Sequence, residues 1–244
     1  TEVEQELQSH HQALHSVAAE IQADWLAKPQ QLHTLLQRLP VFLSLFNAGA
    51  YVTGLDGVAL ASWPPTLPRN GTDFSEQDYL DEALHQGQTT VGQPTFDAQL
   101  QAPVVGMAVP IRDGNGRIIG ALAGVINLDA PNFLDRFRLN QYGKTGNYLL
   151  VDTRHRLIIT TSQKDRAMEQ LPAPGASAIL DRFIAGYEGT EVFVNPIGVE
   201  VLASVKHIPS AGWYAAVALP THDAFAPIRI LRQRFLMAAL LLTL

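Results

Sequence analysis

The chain has 244 residues, 47% of them hydrophobic and 16% charged, with 18 glycines and 15 prolines. That length holds one or two modest domains, each with its own core. A net charge of -6 without a Lys/Arg run argues against nucleic acid, and zero cysteines exclude a disulfide framework, a thiolate metal site and a Cys nucleophile.

In chain order, residues 1–39 carry a helical pattern. Val3, Leu7, Leu14, Val17, Ile21 and Trp25 recur at helical intervals among Glu, Gln and His. Pro29 interrupts, and Leu32, Leu35, Leu36 and Leu39 continue the pattern to Pro40. Such a thin apolar stripe either lies along a domain or pairs with its copy in a homodimer. From Ala48 the period becomes two. Ala50–Leu55 and Val58–Trp63 flank Asp56-Gly57, a hairpin signal. Ser75 reads as an N-cap, with Asp78 in the capping-box position, for a helix Glu76–His85 that Gly87 ends. A short strand, Thr89–Gln93, and a polar loop, Pro94–Ala102, follow. Then Val104–Ile111 and Ile118–Leu128 flank Asp113-Gly114-Asn115-Gly116, a hairpin of central strands. Gly106, Gly120, Ala121, Ala123 and Gly124 leave room above this sheet, where a small ligand is expected.

The order then repeats. Asn147–Asp152 and Arg156–Ser162 form a hairpin, and helices are expected at Asn132–Leu139, Lys164–Gln170 and Ala176–Ala185. Strands Glu191–Asn195, Val199–His207 and Trp213–Leu219 close the unit. Two copies of strand, strand, helices and three strands define an α+β chain. It has a long N-terminal helix, two PAS-like units with antiparallel sheets, and a C-terminal helix leading into the membrane. The expected divisions are a stalk at 1–46, a first PAS-like unit with the pocket at 47–130 and a second at 131–220, which the family resemblance given below makes membrane-distal and membrane-proximal, and a juxtamembrane segment at 221–244. Thr1 is not an initiator Met, which points to a processed or trimmed start. Phe235–Leu244 has no charge and follows Arg229, Arg232 and Arg234. It reads as the start of a transmembrane helix, which needs about 20 apolar residues; the alternative is a buried amphipathic helix.

Three stretches carry a family resemblance. Asp73–Leu84 (DFSEQDYLDEAL) looks like an F-S-x-R-x-Y-F-x-x-A segment that opens a pocket helix. Gly106–Leu128 looks like a pocket hairpin, and Gly143–Asp152 (GKTGNYLLVD) matches a G-x-T-G-Y-x-x-L-V-D entry to a second unit. Together they resemble the double Cache family of bacterial extracytoplasmic sensor domains. The resemblance implies the non-catalytic, periplasmic part of an inner-membrane receptor that binds a small molecule in its distal unit. The output would be a diguanylate cyclase, histidine kinase or chemoreceptor signalling region. The competing reading is a structural dimerisation and relay domain without ligand.

By the same resemblance, family members that bind amino acids place an Arg on the pocket helix for the carboxylate. They also place an Asp on the last sheet strand for the amine. Here Glu76 and Val125 stand at those positions, so a free α-amino acid is not expected, and an uncharged or cationic ligand fits better. The candidate ligand-binding residues are Phe74, Asp78, Tyr79, Phe96, Asp97, Met107, Val125 and Asn127. Bland roles compete for three of them: Tyr79 as a core residue, Asp78 as a helix cap and Asp97 as a turn residue. Arg112 and Arg117 flank the hairpin turn and read as solvated. No cofactor is expected. His11 and His15 stand four apart, with His10 adjacent, but without a nearby third ligand they read as a wet helix face rather than a metal site. The Gly-rich run Gly114–Gly120 has no helix after it to hold a phosphate. Ser162, Ser177, Ser204 and Ser210 lie in no nucleophile elbow, so a hydrolase is not expected.

Overall fold

The computed structural model describes residues 2–136, 145–162, 166–226 and 228. Its contacts divide into two compact units, Thr1–Asp135 with Ile208–Gly212, and Arg136–His207 with Trp213–Leu244.

In the first unit the apolar stripe makes helix α1 (Glu2–Glu20), whose buried face carries Val3, Leu7, His10, Leu14 and Val17. This face packs on strands β5 (Ala102–Arg112) and β6 (Ile118–Asn127). The expected long helix is therefore shorter. A 3-10 turn, Ala23–Ala27, follows it, and Pro29 and Pro40 each open a new helix, α2 (Pro29–Gln37) and α3 (Pro40–Leu45). Proline suits a first helical position because its missing N–H would have no partner there. Leu7 and Leu14 are fully buried and Ile21 is 4% exposed. The unit's own sheet takes up the stripe, so it offers no face for pairing with a second copy.

Strands β1 (Ala50–Thr53), β2 (Ala59–Trp63), β3 (Thr90–Val91) and β4 (Thr95–Asp97) complete a six-stranded sheet of order β2-β1-β6-β5-β3, with β4 also on β5. Strand β4 lies inside the stretch expected to be a polar loop. The β5–β6 hairpin runs from the pair Val104–Asn127 to the pair Arg112–Ile118. Asp113 fixes its turn, accepting from the backbone N–H of Asn115 and of Arg117, both at 2.9 Å. Over the sheet lies α4 (Asp78–Asp81), which continues as a π turn, Glu82–Gln86, and stops at Gly87 in the left-handed region. The N-cap is Gln77, not Ser75. The Ser75 N–H donates to the Asp73 carboxylate at 2.8 Å, so a local turn takes up the residues expected to cap.

The second unit repeats the plan. Strands β7 (Asn147–Asp152), β8 (Leu157–Thr161), β9 (Gly189–Val194), β10 (Glu200–Ile208) and β11 (Trp213–Pro220) form a sheet of order β8-β7-β11-β10-β9. In both sheets the opening hairpin packs beside the last strand of the closing three. Helix α5 (Ala178–Ile184), N-capped by Ser177, buries Leu180 and Phe183 against this sheet. A short α6 (Thr221–Ala224) follows β11. Residues 166–170 are turns with a bridge from Gln170 to Leu157, not the expected helix, whose beginning lies outside the described residues. The expected helix Asn132–Leu139 lies partly outside them, and the apolar run Phe235–Leu244 wholly so. Among the described residues no helix is long and apolar enough to cross a membrane.

Candidate functional site

Alternation along β5 sends Gly106 and its neighbours Val104 and Ala108 toward α4, with Val125 opposite Gly106 on β6. The room above Gly106 is not open. A Cβ there would stand 2.2 Å from the Tyr79 ring, so the glycine lets Tyr79 lie on the sheet. On the other face, a Cβ at Gly124 would meet Phe46 at 2.3 Å. Aromatic rings thus fill the space that these small residues were expected to leave for a ligand. What stays open is a pocket of about 250 Å³ beside Tyr79, walled by Tyr51, Arg69, Phe74, Phe96, Asp97 and Val125.

The pocket has three polar devices. Tyr51 and Tyr79 hydroxyl oxygens lie 2.8 Å apart, and Phe74 stacks on Tyr51 with centroids 4.4 Å apart. Burial pushes the Tyr79 hydroxyl up to about 12 and holds Tyr51 well above the usual phenol range, so both stay protonated. Two hydroxyls sharing one hydrogen bond leave one proton to donate elsewhere. The second device is Arg69, only 4% exposed. Its Nη1 donates to the Ala48 carbonyl at 2.7 Å, its backbone N–H donates to Ser62 Oγ at 3.2 Å, and its guanidinium carbon lies 6.0 Å from the centre of the Tyr51 ring. The third is Asp97. Its Oδ1 closes a turn by accepting from the N–H of Gln99 (2.8 Å) and of Leu100 (3.0 Å), while Oδ2 faces Arg69 Nη2 at 3.7 Å. That separation is an ion pair but too long for a hydrogen bond, so both groups keep capacity for a third partner.

Of the residues expected from sequence, Phe74, Tyr79, Phe96, Asp97 and Val125 line this pocket. The other three do not. Asp78 clasps the backbone, its carboxylate accepting from the N–H of Tyr79 (2.8 Å) and of Gln93 (3.0 Å). Met107, fully buried, pairs with Gly124 and so faces the Phe46 side of the sheet. Asn127 ends β6, its Oδ1 accepting from the N–H of Asp129 (2.8 Å) and of Ala130 (3.2 Å), while its own N–H donates to Asn47 Oδ1. Arg69 was missed altogether. It sits in a Pro/Gly-rich loop where an arginine reads as solvated, and only the fold brings Ala48 and Asp97 to it. Arg112 is held by the carbonyls of Gly116 (3.0 Å) and Gly87 (3.3 Å). The buried His10 lies between the carbonyls of Glu6 (2.6 Å) and Leu45 (3.1 Å). Among the described residues no three His, Cys, Asp or Glu side chains cluster as metal ligands would.

Two antiparallel units of one strand order, one of them with a small polar pocket between sheet and helix, define a tandem PAS-like protein. The Cache domain model matches residues 1–228, and the chain belongs to that family. It is 24% identical over 217 residues to the methyl-accepting chemotaxis protein PctB of Pseudomonas aeruginosa, covering 87% of this chain and 32% of that protein. The chain thus spans about a third of the length of this curated relative. Among solved structures, the ligand-binding domain of PctB in complex with L-Gln superposes with a TM-score of 0.69 at 20% identity, over 98% of this chain and 93% of that one. The sensor domain of the Vibrio cholerae histidine kinase DctB does so with a TM-score of 0.64 at 15% identity, over 88% and 90%.

Proposed function

We propose that this chain is the extracytoplasmic sensing domain of a bacterial membrane receptor, and that it binds a small molecule in the first unit's pocket. Family membership supports the sensing role, and the relatives named above are a chemotaxis receptor and a histidine kinase sensor domain. The output region of this receptor is then of that kind, or a diguanylate cyclase. The observation that carries the binding site is the unfilled coordination around Arg69. A buried guanidinium and a carboxylate stand 3.7 Å apart beside a spare tyrosine proton, in a pocket with room for a ligand.

The pocket is charge-balanced, which narrows the ligand to molecules of zero net charge, either polar or zwitterionic. A zwitterion would place its carboxylate toward Arg69 and the tyrosine pair and its ammonium toward Asp97, pairing both charges as burial requires. The expectation against free α-amino acids rested on Glu76 and Val125 and took Asp78 and Asp97 as the only charges. Arg69 changes that balance, and Asp78 is spent on backbone. The test is a thermal-shift screen of metabolites with calorimetry on the hits. A ligand at 100 times its Kd adds about 2.7 kcal/mol. Tyr79→Phe and Asp97→Asn should each weaken the hit tenfold or more. Absence of any stabilising compound favours the relay reading; a hit indifferent to both substitutions moves the site elsewhere.

A further inference from the structure

The second unit contains a cavity of about 360 Å³, larger than the pocket of about 250 Å³ around Arg69. It lies between the sheet and α5, walled by Leu149, Leu180, Phe183, Val205, Tyr214 and Ala216. Its size falls within the roughly 300–1,000 Å³ of small-molecule sites. It opens to solvent beside the exposed Ile197 and Val199, and a ligand seated on its apolar walls would remove that surface from water.

One polar group belongs to these walls. Tyr214 is 3% exposed, its ring is tilted on Phe183 with centroids 6.4 Å apart, and its hydroxyl has no hydrogen bond to another described residue. Standing on the cavity wall, the hydroxyl is placed to donate to a molecule bound there. Burial holds this hydroxyl well above the usual phenol range, which keeps it a donor. The charged side chains described at this cavity are paired, His222 at its rim with Asp223 (3.5 Å). Arg166 at the rim is held by both carboxylate oxygens of Glu169 (2.6 and 3.1 Å). Arg156, near Tyr214, is turned to the Pro172 carbonyl (2.9 and 2.6 Å) and to Asp181 (2.9 Å).

We propose that this cavity is a second binding site, for a small uncharged molecule with an aliphatic or aromatic body and one carbonyl or hydroxyl oxygen that accepts from Tyr214. The site is independent of the pocket around Arg69 and takes the opposite chemistry.

The probes are 2-heptanone, 1-heptanol and indole, with heptanoate as the charged counterpart, titrated into the 244-residue chain by saturation-transfer NMR and calorimetry. At least one neutral probe should bind with a Kd below about 1 mM, and heptanoate at least tenfold more weakly than the ketone. Tyr214→Phe should weaken 2-heptanone about 3- to 10-fold, the worth of one hydrogen bond, while leaving the thermal transition of the free chain in place. Ala203→Phe, which fills the cavity from β10, should abolish binding. Tyr79→Phe should leave all three probes unaffected. The proposal is overturned if no neutral probe binds below 1 mM, if both unit-two substitutions leave binding unchanged, or if Tyr79→Phe abolishes it.

Discussion

The two units share a strand order and differ in what lies on the sheet. In the first, Gly106 lets Tyr79 down onto β5, and a loop arginine, a turn aspartate and two tyrosine hydroxyls gather around the remaining gap. In the second, the matching strand turns Val201, Ala203 and Val205 toward the helix, and Phe183 sits above them within 6.0 Å of Phe193 and Tyr187. One topology therefore supports a charge-balanced polar pocket and an apolar cavity. The difference comes from the covering segments and from which strand positions lack a side chain. It can be broken one unit at a time.

The largest effect is expected from Leu14→Asp. Leu14 is fully buried where α1 meets β5 and β6, so the substitution opens a cavity and buries an unpaired charge. The cost is about 3–5 kcal/mol or more. Hydrogen exchange should show β5 and β6 losing protection while β10 and β11 keep theirs. Loss of protection in both sheets together would show that the two units unfold as one body.

Acid gives the next effect, also through α1. Burial first, then the nearby His15 and His10, lower the His11 value from 6.5 to about 4, against a smaller opposing pull from Glu4. The folded value lies below the unfolded one, so the fold favours the neutral ring. That contribution is complete above pH 6.5 and disappears as pH falls through about 4, about 2–3 kcal/mol in all. His11→Leu should flatten the stability profile between these values. A profile that keeps its slope would place the titration elsewhere.

Gly106→Ala should cost about 1–3 kcal/mol, as overpacking does. The new methyl meets the Tyr79 ring, which must lift and break its bond to Tyr51. Thermal melts and ligand calorimetry should show lower stability and lost binding in the first unit. Probes of the second unit's cavity should bind as before.

How much of this could be read in the sequence depended on how local each signal was. Strands β7, β10 and β11 were located within a residue or two, because β-branched runs and turn residues sit next to each other in the chain. The α1 stripe was equally plain; what covers it was not, since a sheet and a second copy of the helix present the same apolar surface. Met107 went to the wrong face because β5 is apolar on both sides, leaving no alternation to fix its parity. Arg69 was out of reach for the converse reason. Its partners Ala48 and Asp97 lie 21 and 28 positions away, and nothing in a Pro/Gly loop marks an arginine as buried.

The smallest expected effect separates the two units most cleanly, because the same chemical change is made in each. Tyr79→Phe removes one member of a hydroxyl pair and leaves Tyr51 buried with an unmet hydroxyl, so the free chain should lose about 1–2 kcal/mol. Tyr214→Phe removes a hydroxyl that has no hydrogen bond to another described residue. Its loss breaks no such bond and should change stability by no more than a few tenths of a kcal/mol. Denaturant melts of the two variants, run side by side without ligand, report the difference directly. Equal losses in both would mean that Tyr214 already has a partner in the free protein. The second unit's cavity would then be a filled core, and the contrast between a polar and an apolar pocket would reduce to one site.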